Sequence, residues 1–405
     1  MEFRLSQEQR LFRQTLRDFC EREIAPLARQ IDTERSIIPD QLLEKMAEIG
    51  IFGISIPEEY GGSAPAGEEM VYGTIAVHEL ARADMSMSLP VYALLCMGWG
   101  SLIVKHGTEQ LKKEILPRVV TGKYFLGIAT TEPTGGSDVA NIRTSGIKVG
   151  DRLIINGEKI FISGVREAFE LRDGGHITLV RTDPEAGHKG FTMVFIPARL
   201  PGATYTVLDE IGRRGLSNGT MHYQDVEVPE HHILGQMNRG FYLNMEGFNL
   251  ARILVASACV GMTERALEIS RDYVRQRVLF GRPLAKFEGV SFELAEDHAR
   301  LEQLRIYLRY TAWCADTLYK EKDFISQREL SRMVSICKMT APKIGAEIVQ
   351  RCMTHLGASS YMKECPLGSA LQGVMSYLVG AEGGYHIQKL IIAREFIGEE
   401  SVPYR

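Results

Sequence analysis

A chain of 405 residues, 45% hydrophobic and 24% charged, is long enough for two or three packed units of ordinary globular composition. Its net charge of −4 gives no electrostatic case for a nucleic acid or an anionic membrane as partner. Seven scattered cysteines without a CxxC pair imply buried thiols in a reducing, cytoplasmic setting rather than a disulfide framework.

The first residues lack the basic-then-apolar profile of a signal peptide, and no uninterrupted apolar run reaches the roughly 20 residues of a membrane span. Ser6-x-x-Gln9 has the form of a capping box, and Leu11, Phe12, Leu16, Phe19, Ile24 and Leu27 follow near helical spacing. Pro26 predicts a kink there or the last turns of that helix. A second helix is expected from Asp40 to a stop at Gly50, then apolar helices over 68–82 and 86–106 and a shorter one over 108–120. Near Gly122 the pattern changes to short strands. Asn156-Gly157, inside the apolar run 153–162, reads as a hairpin turn between two strands. Further strands are expected over 176–181, 191–196, 204–208 and 221–228, the last with a bulge where the apolar phase slips between Tyr223 and Val226. Helices return from Phe241, with Val290, Leu294, Leu301, Leu304 and Leu308 on one 3.6-residue stripe. The expected architecture is α+β and multidomain: an α-helical domain (1–122), an all-β, barrel-like domain (123–235) and a C-terminal four-helix-bundle domain (236–405).

Four stretches carry chemistry. Thr130-Thr131-Glu132-Pro133-Thr134-Gly135-Gly136-Ser137-Asp138 offers hydroxyls and glycine amides that can meet a phosphate or a heterocycle edge, although the same residues make surface turns. Lys159-Ile160-Phe161-Ile162-Ser163-Gly164 is by itself an amphipathic strand. Arg277-Val278-Leu279-Phe280-Gly281 sets a guanidinium beside an aromatic ring, a pair suited to a nucleotide's phosphate and base. Ala381-Glu382-Gly383-Gly384-Tyr385-His386-Ile387-Gln388 places one acid in a glycine-rich segment. His231-His232 reads as a solvated pair after Pro229, and Cys352-x-x-His355 lacks the second ligand pair of a zinc site, so no metal is expected.

Together these stretches resemble the acyl-CoA dehydrogenase family of FAD-dependent flavoproteins. The first is similar to the family's T-E-P-x-x-G-S-D element, the second to K-x-W-I-T-N, the third to R-x-x-F-G and the last to Y-E-G-T-x-x-I-Q-R-L-I-x-A-R-E. Ile211–Gly215 with Asp225–Pro229 and Ile233–Gly235 resembles the stretch that closes the family's β-domain. The resemblance implies FAD held by Thr130, Thr131, Gly136, Ser137, Phe161, Ser163 and Gly384, and by Arg277 and Phe280 reaching a neighbouring subunit's cofactor. It therefore implies a homo-oligomer, a tetramer arranged as a dimer of dimers, with an electron-transferring flavoprotein as acceptor. Glu288 for a usual glutamine, and Gly357-Ala358-Ser359-Ser360 for G-G-x-G, depart from the pattern at the adenine end.

By the same resemblance Glu382 is the catalytic base. Some members carry the base one residue before an arginine on an earlier helix, but here that slot is Ala251, before Arg252. A carboxylate suits the task because burial raises its pKa and makes it a stronger base toward the α-proton of a thioester. In the family, hydrogen bonds from the base's own amide and the flavin ribityl chain stabilise the developing enolate. The implied substrate contacts are Ser137, Val91, Leu95, Trp99, Phe248, Asn249, Arg252, Ala381 and Gly383, with Tyr92 on the same pocket floor. Ala381 where tyrosine is usual, and Gly384 where threonine is usual, leave room beside the reacting carbons. The expected acyl group is branched, cyclic or aryl-bearing, benzylsuccinyl-like rather than long and straight. An acyl-CoA oxidase, an enoyl-CoA reductase and a non-enzymatic flavin-binding protective protein remain alternatives on the same fold.

Overall fold

The computed structural model describes residues 4–402 except 36, 64 and 322. Helix α1 (Gln7–Phe19) opens on the expected capping box, with Ser6 Oγ accepting from the Gln9 amide and Gln9 Oε1 from the Ser6 amide, both at 3.1 Å. A single π turn, Cys20–Ile24, joins it to α2 (Ala25–Thr33). The irregularity precedes Pro26, which lies in the first turn of α2 where a missing N–H is harmless. Helix α3 (Asp40–Glu48) runs to Gly50 at φ 82°. Helices α4 (Glu69–Ala83), α5 (Ser88–His106) and α6 (Glu109–Val120, capped by Thr108) follow as expected.

The middle of the chain is a sheet of β1 (Tyr124–Ala129), β2 (Ser145–Val149), β3 (Arg152–Ser163), β4 (Asp173–Arg181), β5 (Phe191–Pro197), β6 (Ala203–Leu208), β7 (Asn218–Pro229) and β8 (Ile233–Leu234). The order is β6-β7-β3-β2-β4-β5-β8, with β1 parallel to β4. Leu153, Ile155, Ile162, Val194, Ile196, Met221 and Val226 form its own apolar core.

Asn156-Gly157 is not a hairpin turn. Strand β3 runs unbroken through it, and the reversal lies earlier, where Val149 pairs with Arg152 around Gly150 at φ 62°. Gly157, at φ 143°, belongs to a bulge: Ile155 pairs with Val226 and Gly157 with Tyr223. The Asn156 side chain spans it, accepting from the Asp225 amide at 2.9 Å and donating to Asp225 Oδ1 at 3.0 Å. The expected slip between Tyr223 and Val226 and the Asn-Gly pair are therefore two sides of one irregularity.

Helix α7 (Gly240–Gln276) leads through a small hairpin, β9 (Val278–Leu279) and β10 (Arg282–Pro283), to α8 (Glu288–Lys320) and α9 (Gln327–Leu356). These three pack with α10 (Leu367–Val379) as a bundle, and α11 (Tyr385–Phe396) lies along α9. Of the stripe on α8, Leu301, Leu304 and Leu308 are buried, whereas Val290 and Leu294 are only half-buried. Helices α5 and α7 are long and apolar enough to cross a membrane, but 89% and 78% of those windows are buried inside this chain. Their apolar side chains are committed to the core.

Helix α7 crosses α5 closely at one point. A Cβ at Gly247 would lie 2.2 Å from Trp99 Cζ3, so only glycine admits the indole, which stacks edge-on to Phe248 at 5.7 Å. Gly247→Ala is expected to destabilise the protein by about 1–3 kcal/mol through overpacking, read by denaturant unfolding followed by tryptophan fluorescence.

Candidate active site

Between α10 and α11 the chain passes through Gly380-Ala381-Glu382-Gly383-Gly384, with Glu382 at φ 53° and Gly383 at φ 86°. A left-handed glutamate is unfavourable unless its surroundings fix it. Three buried side chains from three helices do so. Arg252 Nε (α7) donates to the Glu382 carbonyl at 2.8 Å, Gln388 Nε2 (α11) to the Gly383 carbonyl at 2.9 Å, and Lys338 Nζ (α9) to the carbonyls of Tyr377 at 2.6 Å and Gly383 at 3.4 Å. A Cβ at Gly383 would stand 3.0 Å from Gln388 Nε2 and 3.2 Å from Arg252 Nη2, so the clamp closes only on glycine.

The Glu382 carboxylate is thereby aimed inward, and its Oε2 is buried with no hydrogen-bond partner among the described residues. Burial raises its pKa above the ordinary carboxylate range, against the opposing pull of Lys338, Arg213 and Arg252. Burial also draws Lys338 down to about 8 and Arg252 down to about 10, while Glu382 pulls each back up. A general base with a raised pKa and an unsatisfied oxygen is poised to take a proton. Ala251 is fully buried and carries no acid.

Sequence reasoning gave no role to Lys338 or Arg213. For Lys338 a signal existed: Val334, Ala341 and Pro342, at helical spacing about it, are all buried, which puts the lysine on an inward face. Arg213 lies in a loop without periodicity, and nothing local marks it.

Helix α5 presents Val91, Leu95 and Trp99 at helical spacing, all buried, and Trp99 meets Phe248 of α7. Phe248 is also 5.6 Å from the Arg252 guanidinium, and Asn249 Oδ1 accepts from Arg252 Nη1 at 3.3 Å, so both belong to the Glu382 side. Ala381 is half-buried against the same core. Tyr92 does not share that face. Its ring packs between Phe52 and Phe125, and its hydroxyl donates to the Gly122 carbonyl at 3.0 Å.

The loop 130–138 is held from below by a buried ion pair. Glu132 accepts from Lys159 Nζ at 2.8 Å, from the Arg143 and Thr144 amides at 2.6 and 2.9 Å, and from Thr144 Oγ1 at 2.6 Å. Burial draws Lys159 down to about 8, and Glu132 opposes that. Thr130 is inside this support, its hydroxyl donating to Asn244 Oδ1 at 3.0 Å, so it holds the loop rather than facing its mouth. Thr131, Gly136 and Ser137 remain at the open side, and a Cβ at Gly136 would fall 3.2 Å from Thr131 Cγ2. The Thr131 carbonyl receives the Ile160 amide at 2.9 Å, tying the loop to β3 just before Phe161. Phe161 is at φ 60° beside a second register shift, and 65% of it is exposed. Ser163, two residues on, closes that strand opposite Asn218. An aromatic held outward in a strained backbone, next to small and hydroxylated residues, fits a planar heterocycle such as isoalloxazine.

Arg277 and Phe280 are not part of this grouping. Both are exposed at the β9–β10 hairpin, Phe280 by 93% and at φ 51°. Gly384 begins α11, where a Cβ would meet the Val379 carbonyl at 2.8 Å. His231-His232 is only partly as expected. His232 is 3% exposed, with Nδ1 against the Phe195 carbonyl at 3.1 Å, and Glu114 Oε2 lies 3.4 and 3.5 Å from the two Nε2 atoms. Burial against Phe195 outweighs solvation for that ring. His355 has both ring nitrogens engaged, by Ser270 and Glu293, and Cys352 beside it is buried.

Glu132→Gln leaves Lys159 as an uncompensated buried cation and is expected to cost about 3–5 kcal/mol, whereas the double variant with Lys159→Met should lie closer to wild type in thermal unfolding. For Lys338→Met, loss of a cation facing Glu382 should move the acid limb of the activity–pH profile to higher pH, and Lys338→Arg should move it less.

Three family models match in succession: the acyl-CoA dehydrogenase N-terminal domain over residues 6–123, the middle domain over 127–226 and the C-terminal domain over 238–397. An acyl-CoA dehydrogenase of Bacillus subtilis (strain 168) is 33% identical over 97% of this chain and 99% of its own length. The mitochondrial isovaleryl-CoA dehydrogenase of Solanum tuberosum is 31% identical over 97% and 91%. The structure of a glutaryl-coenzyme A dehydrogenase in complex with glutaryl-CoA superposes with a TM-score of 0.90 at 27% identity, covering 98% of this chain and 97% of that one. With three successive domain matches and near full-length relatives, the chain belongs to the acyl-CoA dehydrogenase family, FAD-dependent oxidoreductases that act on the CH–CH group of acyl-CoA.

Proposed function

We propose that this protein introduces an α,β double bond into an acyl-CoA thioester, with Glu382 as the base that removes the α-proton. The single observation that carries this is the buried Oε2 of Glu382, without a hydrogen-bond partner among the described residues and held inward by side chains of α7, α9 and α11. FAD, when bound, supplies the acceptor for the β-hydride. Thr131, Gly136, Ser137, Phe161 and Ser163 are the residues of this chain that hold its flavin end, with Thr130 as their support and Gly384 at the start of α11.

The protein's own part is basicity and alignment. Desolvation keeps Glu382 a strong base, and Arg252, Lys338 and Gln388 fix the carbonyls on either side of it, so that the carboxylate meets the α-carbon without reorganising. Apolar Val91, Leu95, Trp99 and Phe248 surround the acyl chain and exclude water. Ser137, Asn249, Arg252, Ala381 and Gly383 complete the thioester's surroundings.

The small side at Ala381 and Gly384 supports a branched, cyclic or aryl-bearing acyl group, and the isovaleryl-CoA dehydrogenase relative is named for a branched one. Electrons pass on to an electron-transferring flavoprotein in a cytoplasmic setting. Exposed Val278, Phe280, Phe292, Tyr361 and Phe396, on the hairpin and the C-terminal helices, support assembly as a homotetramer in which Arg277 and Phe280 serve the partner's cofactor.

In Glu382→Gln, flavin reduction by acyl-CoA should fall by at least about a hundredfold while flavin content and thioester binding persist. Stopped-flow bleaching of the oxidised flavin measures this, and near-wild-type reduction in the variant removes Glu382 from the role.

A further inference from the structure

The loop between β6 and β7 lies flush against α10 and the N-terminal helices. A Cβ at Gly212 would fall 2.7 Å from the Gln372 carbonyl carbon, and one at Gly215 would fall 2.2 Å from Ile31 Cγ2. Its anchor is Arg214, which donates to Asp32 Oδ2 at 2.9 Å, with Ser369 Oγ on the same oxygen at 2.6 Å. Arg213 is not needed for that anchoring, yet it is 5% exposed and its backbone is held at φ 55°.

Its hydrogen bonding is incomplete. Nη2 donates to Glu210 Oε2 at 3.1 Å, an oxygen that also receives Asn218 Nδ2 at 3.1 Å, while Nε is buried without an acceptor among the described residues. Beside it stands Tyr377, 1% exposed, its ring centroid 6.0 Å from the guanidinium carbon and its hydroxyl buried without a hydrogen-bond partner among the described residues. Two unmet donors of this kind, both deep in the protein, are costly unless something arrives to accept from them. Tyr377 is also the residue whose carbonyl takes Lys338, five positions before Glu382. The charges around the base are Arg213, Arg252 and Lys338 against Glu210 and Glu382, one positive charge in excess within a largely desolvated cluster. Helix α5 brings no cation to the acyl pocket, since Val91, Leu95 and Trp99 line it.

We infer that the acyl group carries a second, free carboxylate, received by Arg213 Nε and the Tyr377 hydroxyl, so that the substrate class is the mono-CoA thioester of a branched or aryl-bearing dicarboxylic acid. The inference rests on the placement of the acyl group against Glu382. A carboxylate balances the excess charge and satisfies both donors, whereas a methyl group in its place leaves all of them unmet. The carboxylate itself takes no part in the dehydrogenation and leaves unchanged.

The test uses the holoenzyme and matched thioesters that differ only in carboxylate against methyl: glutaryl-CoA with pentanoyl-CoA, and benzylsuccinyl-CoA with 2-benzylbutanoyl-CoA. Binding is read from the flavin spectrum of the Glu382→Gln protein, and turnover from both the wild type and Glu382→Gln. The carboxylated member of at least one pair should bind at least about tenfold more tightly. That ratio should collapse toward unity in Arg213→Met, fall partway in Tyr377→Phe and recover partly in Arg213→Lys. Equal binding of both members of each pair, or a ratio that survives Arg213→Met, overturns the inference. A merely structural Arg213 would weaken both members alike. If the carboxylate preference is present and depends on Arg213, but turnover is unaffected by Glu382→Gln, the inference stands and the assignment of the base fails.

Discussion

A carboxylate stripped of solvent and left with a free oxygen is the constraint around which the C-terminal half of this protein is organised. Glu382 is kept in a left-handed backbone by hydrogen bonds to carbonyls on either side of it, and each donor comes from a different helix. The arrangement separates two requirements that usually conflict. The cations of Arg252 and Lys338 spend their hydrogen bonds on backbone oxygens and, for Arg252, on the Asn249 amide oxygen, so they fix the position of the base without ion-pairing its carboxylate. A direct salt bridge would lower the pKa and quench the basicity. Here the raised pKa survives because burial outweighs the remaining Coulomb attraction.

The β-domain solves a similar problem by another route. A loop rich in glycine and hydroxyl residues is too pliable to position a planar cofactor unaided. Glu132 and Lys159, both buried, tie the loop to the next strand through one ion pair and a set of amide bonds. Lys159 stands two residues before the exposed Phe161 on the same strand. The two halves of the site thus each rest on a buried charge whose partner is a neighbouring segment of the fold. The hairpin carrying Arg277 and Phe280 stands exposed, with the Phe280 ring 6.4 Å from that of Phe287.

Much of this was legible in the residues. Helical periodicity located α3 to α6 and the bundle, and the position of Glu382 followed from the glycine-rich stretch around it and its resemblance to a known family. What escaped was set by long-range pairing. Asn156-Gly157 has ideal local turn chemistry, yet the bulge of β7 at Asp225 makes the strand continue and uses both residues differently. Pro26 suggested a kink or the last turns of the helix, whereas a π turn precedes it and the helix continues to Thr33. His232 looked solvated because a loop sequence does not reveal that Phe195 covers it. Lys338 and Arg213 are charged residues whose burial is decided by three or more elements meeting. For Arg213 no local pattern ranks it above the many surface arginines, whereas the helical spacing of Val334, Ala341 and Pro342 was the one local sign that Lys338 faces inward.

The central claim concerns where one carboxylate points. A crystal structure of the holoenzyme with a non-reducible thioether analogue of an acyl-CoA tests it most directly. The account predicts the Glu382 carboxylate within about 3–3.5 Å of the carbon corresponding to the α-position, on the face opposite the isoalloxazine. A Glu382 side chain turned into bulk water, or a different acid nearest that carbon, contradicts it.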